Sequence, residues 1–318
     1  MSTAEQAGRA LPAAAPTTPV ALERRRRRSS LRHDWWRHAV AIVAVTVAIF
    51  PILYVASAAF NADQSLGGST LMPRHVTLDN FREILAPDAS KSYLQSSTSH
   101  YGRWLANSLV IALTTALCTV LLGALAAYAF SRFRFRGRRL GMLFLLLIQM
   151  FPQLLALVAI YLILLRTGDV FPQIGLNTRS GLILVYLGGI MGVNTWLMKG
   201  FFDTIPAELD ESARVDGATP AQVFWGVVLP LALPILSVIA ILSFVGTFNE
   251  FVLASALLQT NDQFTLPLGL NGYIDKQYSE HWGPFAAGVL LAAVPIMVIF
   301  MSLQRFIVSG LTQGSVKG

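Results

Sequence analysis

Glu208, Asp210 and Glu211 crowd together in the stretch DTIPAELDESARVDGATPAQVFWGVVLP at 203–230, with Arg214 following. Carboxylates grouped this way serve either acid–base chemistry or the docking of a basic partner. Catalysis would need a clustered nucleophile, base or metal ligands, and the stretch contains neither histidine nor cysteine. What it does contain is helix punctuation. Pro206 suits the first turn of a helix, and the acids lie where the helix dipole favours negative charge. Asp210 and Arg214 are spaced to pair on one face, while Glu208 and Glu211 share another. Gly217 can take the left-handed conformation that stops a helix. Thr219, Pro220 and Gln222 then read as N-cap, first position and capping-box partner of a second helix. The expectation is a short acidic surface helix, a glycine turn and a second helix running into Leu229 and Pro230. A solvated connector with amphipathic helices lying on a membrane fits the same residues.

Asn249 and Glu250 sit inside an apolar run. A carboxylate at mid-membrane costs about 3 kcal/mol on insertion scales, so it should face protein or water. A polar gate beside a pathway and an interhelical hydrogen bond both satisfy that demand. Asn271, Tyr273, Tyr278, His281 and Trp282, in the connector 259–284, are residue types able to stack on and hydrogen-bond sugar. His281 alone makes no metal site. Cys118, the single cysteine, excludes an internal disulfide and any Cys-rich metal site. No G-x-x-x-x-G-K-[ST] phosphate loop occurs. The chain is therefore expected to be no enzyme, to bind no cofactor or metal of its own, and not to hydrolyse ATP.

The elements that must position these residues are apolar. Of 318 residues, 54% are hydrophobic and 13% charged, and the mean hydropathy is +0.57. Soluble domains carry about 25% charged residues, so the fold class expected is all-α, a polytopic membrane helix bundle. Six apolar segments, at about 38–60, 104–130, 140–166, 180–199, 227–258 and 285–308, are each long enough to cross a hydrocarbon core of about 30 Å. Arg24 to Arg28 precede the first segment, and Arg132, Arg134, Arg136, Arg138 and Arg139 follow the second. The positive-inside rule then places both termini in the cytoplasm. Such clusters read as topology signals and lipid-phosphate contacts rather than as a nucleic-acid surface. Residues 1–34 read as a disordered basic cytoplasmic tail. A cleavable leader ending at Ala56-Ser57-Ala58 is the rival for the first segment, although the apolar run is long for one. Prolines 152, 230, 234 and 295 fall in or at the ends of spans, where kinks suit a moving pathway. Gly188 and Gly192 form a GxxxG that favours close helix packing.

Glu211-Ser212-Ala213, Gly217 and Val227-Val228-Leu229-Pro230 together resemble the EAA motif of importer permeases in the ABC (ATP-binding cassette) superfamily. Ser212 stands for the usual second alanine and Val227 for isoleucine. GLNT at 175–178, YLGGI at 186–190, DGATP at 216–220 and the ending GLTQGSVKG are similar to the smaller permease subunit of maltose/maltodextrin importers. The likeness runs from about residue 35 to the end. It implies a type I ABC importer permease domain over 35–310, with 203–226 as the coupling-helix loop and 61–103 and 259–284 as external loops. A cytoplasmic tail at 311–318 follows. By resemblance, the helix around Glu211, with Glu208, Ser212, Ala213, Gly217, Leu229 and Pro230, inserts into a separate ATPase subunit. Gln313, Gly314, Ser315, Val316, Lys317 and Gly318 reach between the ATPase subunits. The implied partners are a second homologous permease, two ATPase subunits that carry ATP and Mg, an extracytoplasmic sugar-binding protein met by the 259–284 loop, and membrane lipid. The implied solute is a maltose/maltodextrin-type oligosaccharide carried across the cytoplasmic membrane. Trehalose or another sugar is the alternative. An ion-coupled secondary carrier would need paired intramembrane charges and internal repeats.

Overall fold

The structure is a computed structural model that describes residues 35–62, 75–85, 100–274 and 281–314, the stretch 308–314 by its backbone alone. The described residues are helical, and their only extended pairing is an isolated bridge between Asn61 and Val76. The elements are α1 (Trp35–Phe60), α2 (Asp79–Leu85), α3 (Tyr101–Arg132), α4 (Arg138–Met150), α5 (Gln153–Val170) and α6 (Arg179–Phe202). They continue as α7 (Ala207–Val215), α8 (Pro220–Leu231), α9 (Leu233–Phe248), α10 (Val252–Leu257), α11 (Leu266–Asn271) and α12 (Trp282–Gly314). Contacts divide the chain into units 1–54 and 55–318. The described part of the first is the opening of α1, whose apolar side chains are nearly all exposed.

In the second unit α3 packs chiefly on α6 and α9. Its buried face carries Ser108, Ala112, Thr115, Ala116, Thr119, Gly123, Ala124 and Ala127 at helical spacing. Small residues there bring backbones close, and in lipid that packing replaces the hydrophobic drive available in water. Val110, Leu113, Leu117 and Leu121 point outward and stay exposed, as lipid-facing side chains do. Asn194 Nδ2 donates to Ser243 Oγ at 3.1 Å, a buried link between α6 and α9.

Five helices among the described residues are long and apolar enough to cross a membrane, or six if one bent pair is a single span. Two expected segments differ from the structure. The segment at 140–166 is two helices, because Pro152 has no N–H to continue α4 and holds Phe151 extended. The segment at 227–258 is α8, α9 and α10, with α8 and α9 bent by 77° at Ala232. Pro230 and Pro234, four residues apart, each remove a ladder donor there, and a π-helical turn at Phe224–Val228 precedes the bend. Pro295 lies inside α12, as Pro51 does inside α1.

The end of the bundle away from 203–226 is tied by polar contacts to α3. Trp104 Nε1 donates to Asn261 Oδ1 at 2.7 Å, Asn107 Nδ2 to the Asp262 and Phe264 carbonyls, each at 2.9 Å, and the Leu266 amide to Ser108 Oγ at 2.7 Å. Gly269 is required by this packing: a Cβ there would lie 2.1 Å from Trp104 Cδ2. Gly269→Ala should therefore cost about 1–3 kcal/mol by overpacking. The measurement is thermal unfolding of the detergent-solubilised protein, and an unchanged midpoint would contradict the packing.

Candidate functional site

The acidic stretch folds as its turn chemistry dictates. Helix α7 carries Glu208 and Asp210 in its first turn, with Pro206 at the N-cap. Its end is a complete Schellman motif. The Ala218 amide donates to the Ala213 carbonyl at 2.9 Å, the Gly217 amide to the Arg214 carbonyl at 3.0 Å, and Gly217 sits at φ 85°. Thr219 and Gln222 then form both halves of a capping box at the start of α8.

Asp210 does not pair with Arg214. It turns inward, 3% exposed, and its Oδ2 lies 3.0 Å from Arg132 Nε at the end of α3. The contact is one of charge: neither carboxylate oxygen takes a well-aligned hydrogen bond among the described residues. Burial against α3 outcompetes an exposed i,i+4 pair, which is worth only about 0.3–0.5 kcal/mol. Arg132 Nη2 also donates to the Ile205 carbonyl at 2.9 Å. Tyr128, one turn back on α3, lies in the field of Asp210, Arg214 and Arg132, and its ring meets Phe224 at 5.0 Å. Just before α7, Asp203 accepts from Ser131 Oγ at 2.7 Å and from Lys199. Burial alone would push the Asp203 carboxyl up, but the Lys199 and Ser131 hydrogen bonds outweigh it and hold the carboxyl below its usual value.

With one face clamped, α7 presents the other. Glu208, Glu211, Ser212 and Gly217 are exposed, as are Leu209 at 42% and Val215 at 88%. Ala213 is half-buried against the core cluster that contains Tyr128, Phe202, Val223 and Val228, and Leu229 packs on the same cluster. Pro230 lies beyond the π turn. Arg132, Tyr128, Ser131 and Asp203 were not singled out as part of this site from sequence. The available signal was an acid, Asp210, between two outward-facing glutamates on a nine-residue helix.

The remaining candidates lie elsewhere. Glu250 Oε2 accepts from Tyr186 Oη at 2.6 Å and from the Ala254 amide at 3.1 Å, and its Oε1 from the Leu253 amide at 2.7 Å. It thus satisfies the start of α10 while holding α6. Asn249 donates to the Val245 carbonyl at 3.0 Å and, with Asn271, lines a cavity of about 410 Å³ beside α12. Tyr273, expected on an external loop, is 6% exposed and packs with Leu266 and Leu270. Its ring is apolar surface that the turn after α11 folds inward, so it is not free to stack on a solute. Trp282 opens α12 with its ring against Phe285. Tyr278 lies outside the described residues, as do 1–34 and Ser315, Val316, Lys317 and Gly318; Gln313 and Gly314 are within α12. Among the described residues no three His, Cys, Asp or Glu side chains converge.

A helical membrane bundle with an acid-tipped, exposed helix clamped to one end is the architecture of a transport permease. The chain belongs to the family of binding-protein-dependent transport system inner membrane components, whose profile matches residues 119–313. It is 40% identical over 279 residues to the galactooligosaccharides transport system permease protein GanQ of Bacillus subtilis (strain 168), across 88% of this chain and 93% of that one. It is 38% identical over 283 residues to the maltose/maltodextrin transport system permease protein MalG of Escherichia coli (strain K12), across 88% and 95%. A chain of a bacterial ABC transporter involved in import of the acidic polysaccharide alginate shares the fold. The TM-score is 0.68 at 22% identity, over 87% of this chain and 97% of that one.

Two outcomes follow from the site and its surroundings. Arg132→Ala leaves Asp210 buried and unpaired and should cost about 3–5 kcal/mol, whereas Arg132→Met with Asp210→Leu should recover most of it. Thermal unfolding and limited proteolysis at 203–226 report both. At the other end, burial raises the Glu83 carboxyl above its ordinary value of 4.5, and no described group hydrogen-bonds its buried Oε1. Burial, with Glu83 nearby, pushes Tyr273 up to about 12. A raised carboxyl contributes stability that is full below its unfolded value and is lost as pH rises through the folded one. Glu83→Gln should therefore unfold at higher temperature than the parent at pH 7.5, with the difference closing below pH 4.5. An equal gap at both pH values would be evidence against burial as the cause.

Proposed function

We propose that this chain is one permease subunit of an ATP-driven importer of oligosaccharides of the maltose/maltodextrin type. The observation that carries the reading is the exposed α7–Gly217–α8 corner, fixed to α3 through Asp210 and Arg132 while Glu208, Glu211 and Val215 face outward. A rigid corner that offers two acids and an apolar side chain is suited to a basic-rimmed cleft on an ATPase subunit. Closure of paired ATPase subunits on ATP and Mg would carry the corner with it and rock the spans from inward-open to outward-open. The relatives named for maltose/maltodextrin and galactooligosaccharide transport support a neutral oligosaccharide as solute.

In this reading the bent pair α8–α9 counts as one of six spans, and both termini lie in the cytoplasm of a cell bounded by the inner membrane. The arginines around the first and second segments support that orientation. A homologous permease completes the pathway, an extracytoplasmic binding protein delivers the sugar near 259–284, and the tail from Gln313 onward approaches the ATPase pair. Glu250 holds α10 and α6 together beside the pathway.

Glu211→Lys should abolish ATP-dependent uptake of radiolabelled maltotriose and galactotriose into proteoliposomes, and should weaken ATPase co-purification at least about tenfold, as expected for inverting a charge at a docking centre. Membrane insertion should be unaffected. Normal co-purification and uptake would remove the coupling role, and uptake driven by an ion gradient without ATP would reject the importer reading altogether.

A further inference from the structure

The turn that joins α3 to α4 carries the densest positive charge among the described residues. It runs from Phe133 through Arg134, Phe135, Arg136 and Gly137 to Arg138 and Arg139, and contains no acid. Phe133 is extended at ψ 140°, and extended backbone sends successive side chains to opposite sides. The rings take the side of α3: Phe133 lies 5.6 Å from Tyr128, and Phe135 5.5 Å from Phe130. Arg134 and Arg136 are left to the other side, and both are exposed. Gly137, at φ 89°, then leads into α4. That helix begins with Arg138 and Arg139, has no acid in its first turn and receives no side-chain cap. A helix N-terminus is already a positive pole, so arginines there are unfavourable until an anion joins them.

The acids nearby do not supply that anion. Asp210 is held by Arg132, and Asp203 by Lys199 and Ser131. Arg134, Arg136 and Arg139 form no ion pair or hydrogen bond among the described residues. The level of the turn follows from its neighbours. Helix α3 approaches it with Leu121, Leu122 and Leu125 exposed, and α4 leaves it with Leu140 and Leu143 exposed. Phe133 and Phe135 are exposed between the arginines. Where lipid-facing apolar side chains give way to arginines on both strokes of a hairpin, the chain meets the boundary of hydrocarbon and water. Phospholipid phosphates lie at that level, and the fork of an arginine matches their oxygens. The basic-rimmed cleft that suits the acidic corner would repel this turn.

We infer that the α3–α4 turn is a docking site for an anionic phospholipid, its phosphate held by Arg136, Arg139 and the first amides of α4, with Arg134 beside it. Arg138 ties this site to the acidic corner. Its Nη2 lies 3.5 Å from the Ser131 carbonyl, and Ser131 Oγ donates to Asp203 just before α7. A headgroup on the turn thus steadies the base of the corner against the membrane, and transport should depend on anionic lipid. That consequence, unlike the docking itself, rests on the importer reading.

The test uses the complete transporter. One variant combines Arg134→Gln, Arg136→Gln and Arg139→Gln, leaving Arg132 and Arg138 in place; a second carries lysine at the same three positions. By native mass spectrometry, the parent should retain phosphatidylglycerol in preference to phosphatidylcholine. Its affinity for phosphatidylglycerol should fall at least about tenfold in the glutamine variant, since each arginine near a headgroup is worth about fivefold. The lysine variant should keep most of it. In proteoliposomes, parental uptake of maltotriose should rise at least about threefold when phosphatidylglycerol replaces about a quarter of the phosphatidylcholine, and the glutamine variant should not respond. Equal retention in parent and glutamine variant, or a parent without preference for phosphatidylglycerol, would overturn the docking site; the second holds even if the glutamine variant fails to insert. Loss of ATPase co-purification in the glutamine variant without loss of lipid would make the turn a protein contact and overturn it too. Soluble glycerol phosphate acting in place of phosphatidylglycerol would overturn the lipid assignment. A parent that moves no sugar in any lipid removes the importer reading, while lipid retention still decides the docking site.

Discussion

The contact between Arg132 and Asp210 is the constraint on which the rest of this molecule turns. Both side chains are at most 10% exposed, while every other described ion pair has a partner at least 40% exposed. A charge pair held that far from water contributes little net stability, yet neither partner can leave without stranding the other. It is therefore a positional device. It fixes the rotation of α7 about its own axis, since only one face can turn Asp210 inward, and so determines that Glu208 and Glu211 look outward. Through α3 the same constraint reaches the far end of the bundle, where Trp104, Asn107 and Ser108 hold the 261–266 segment. One helix is thus tied at both ends by polar contacts and padded between them by small residues.

The features legible from sequence were those whose causes are local. The Gly217 turn and the Thr219–Gln222 capping box were readable because each needs only residues within a few positions of one another, and the structure contains both. Apolar length likewise announced the helices. Features set by distant partners were not legible. Arg132 belongs to a run of arginines that reads as a topology signal, and nothing near it reveals a carboxylate waiting on α7. Tyr273 looks like an external aromatic until the turn after α11 folds it onto Leu266 and Leu270. The prolines marked where the third and fifth segments would be disturbed, but not that Pro152 divides one of them or that Pro230 and Pro234 together bend the other by 77°.

Several polar residues within the apolar elements are satisfied by a neighbour, while the buried hydroxyls of Thr115, Thr119, Tyr128 and Thr247 take no hydrogen bond among the described residues. Glu250 receives two backbone amides and a tyrosine hydroxyl, and Asn194 reaches Ser243. Asn177, at φ 59°, accepts the Gln259 and Thr260 amides and so binds the loop before α6 to the chain after α10. Asparagine tolerates that left-handed conformation better than most residues. For Glu250, Asn194 and Asn177 these contacts remove the penalty of an unpaired group and also join segments far apart in sequence.

The elbow at Ala232 has a mechanical meaning. Its lower limb, α8, is about 18 Å long and its upper limb, α9, about 24 Å at 1.5 Å per residue. Because the limbs meet at 77°, thrust along the lower one arrives almost broadside at the upper one. In an assembly where α7 is pushed, a shift of a few ångströms below would become a sideways swing of α9 across the small-residue face of α3, as a crank turns a stroke into a sweep.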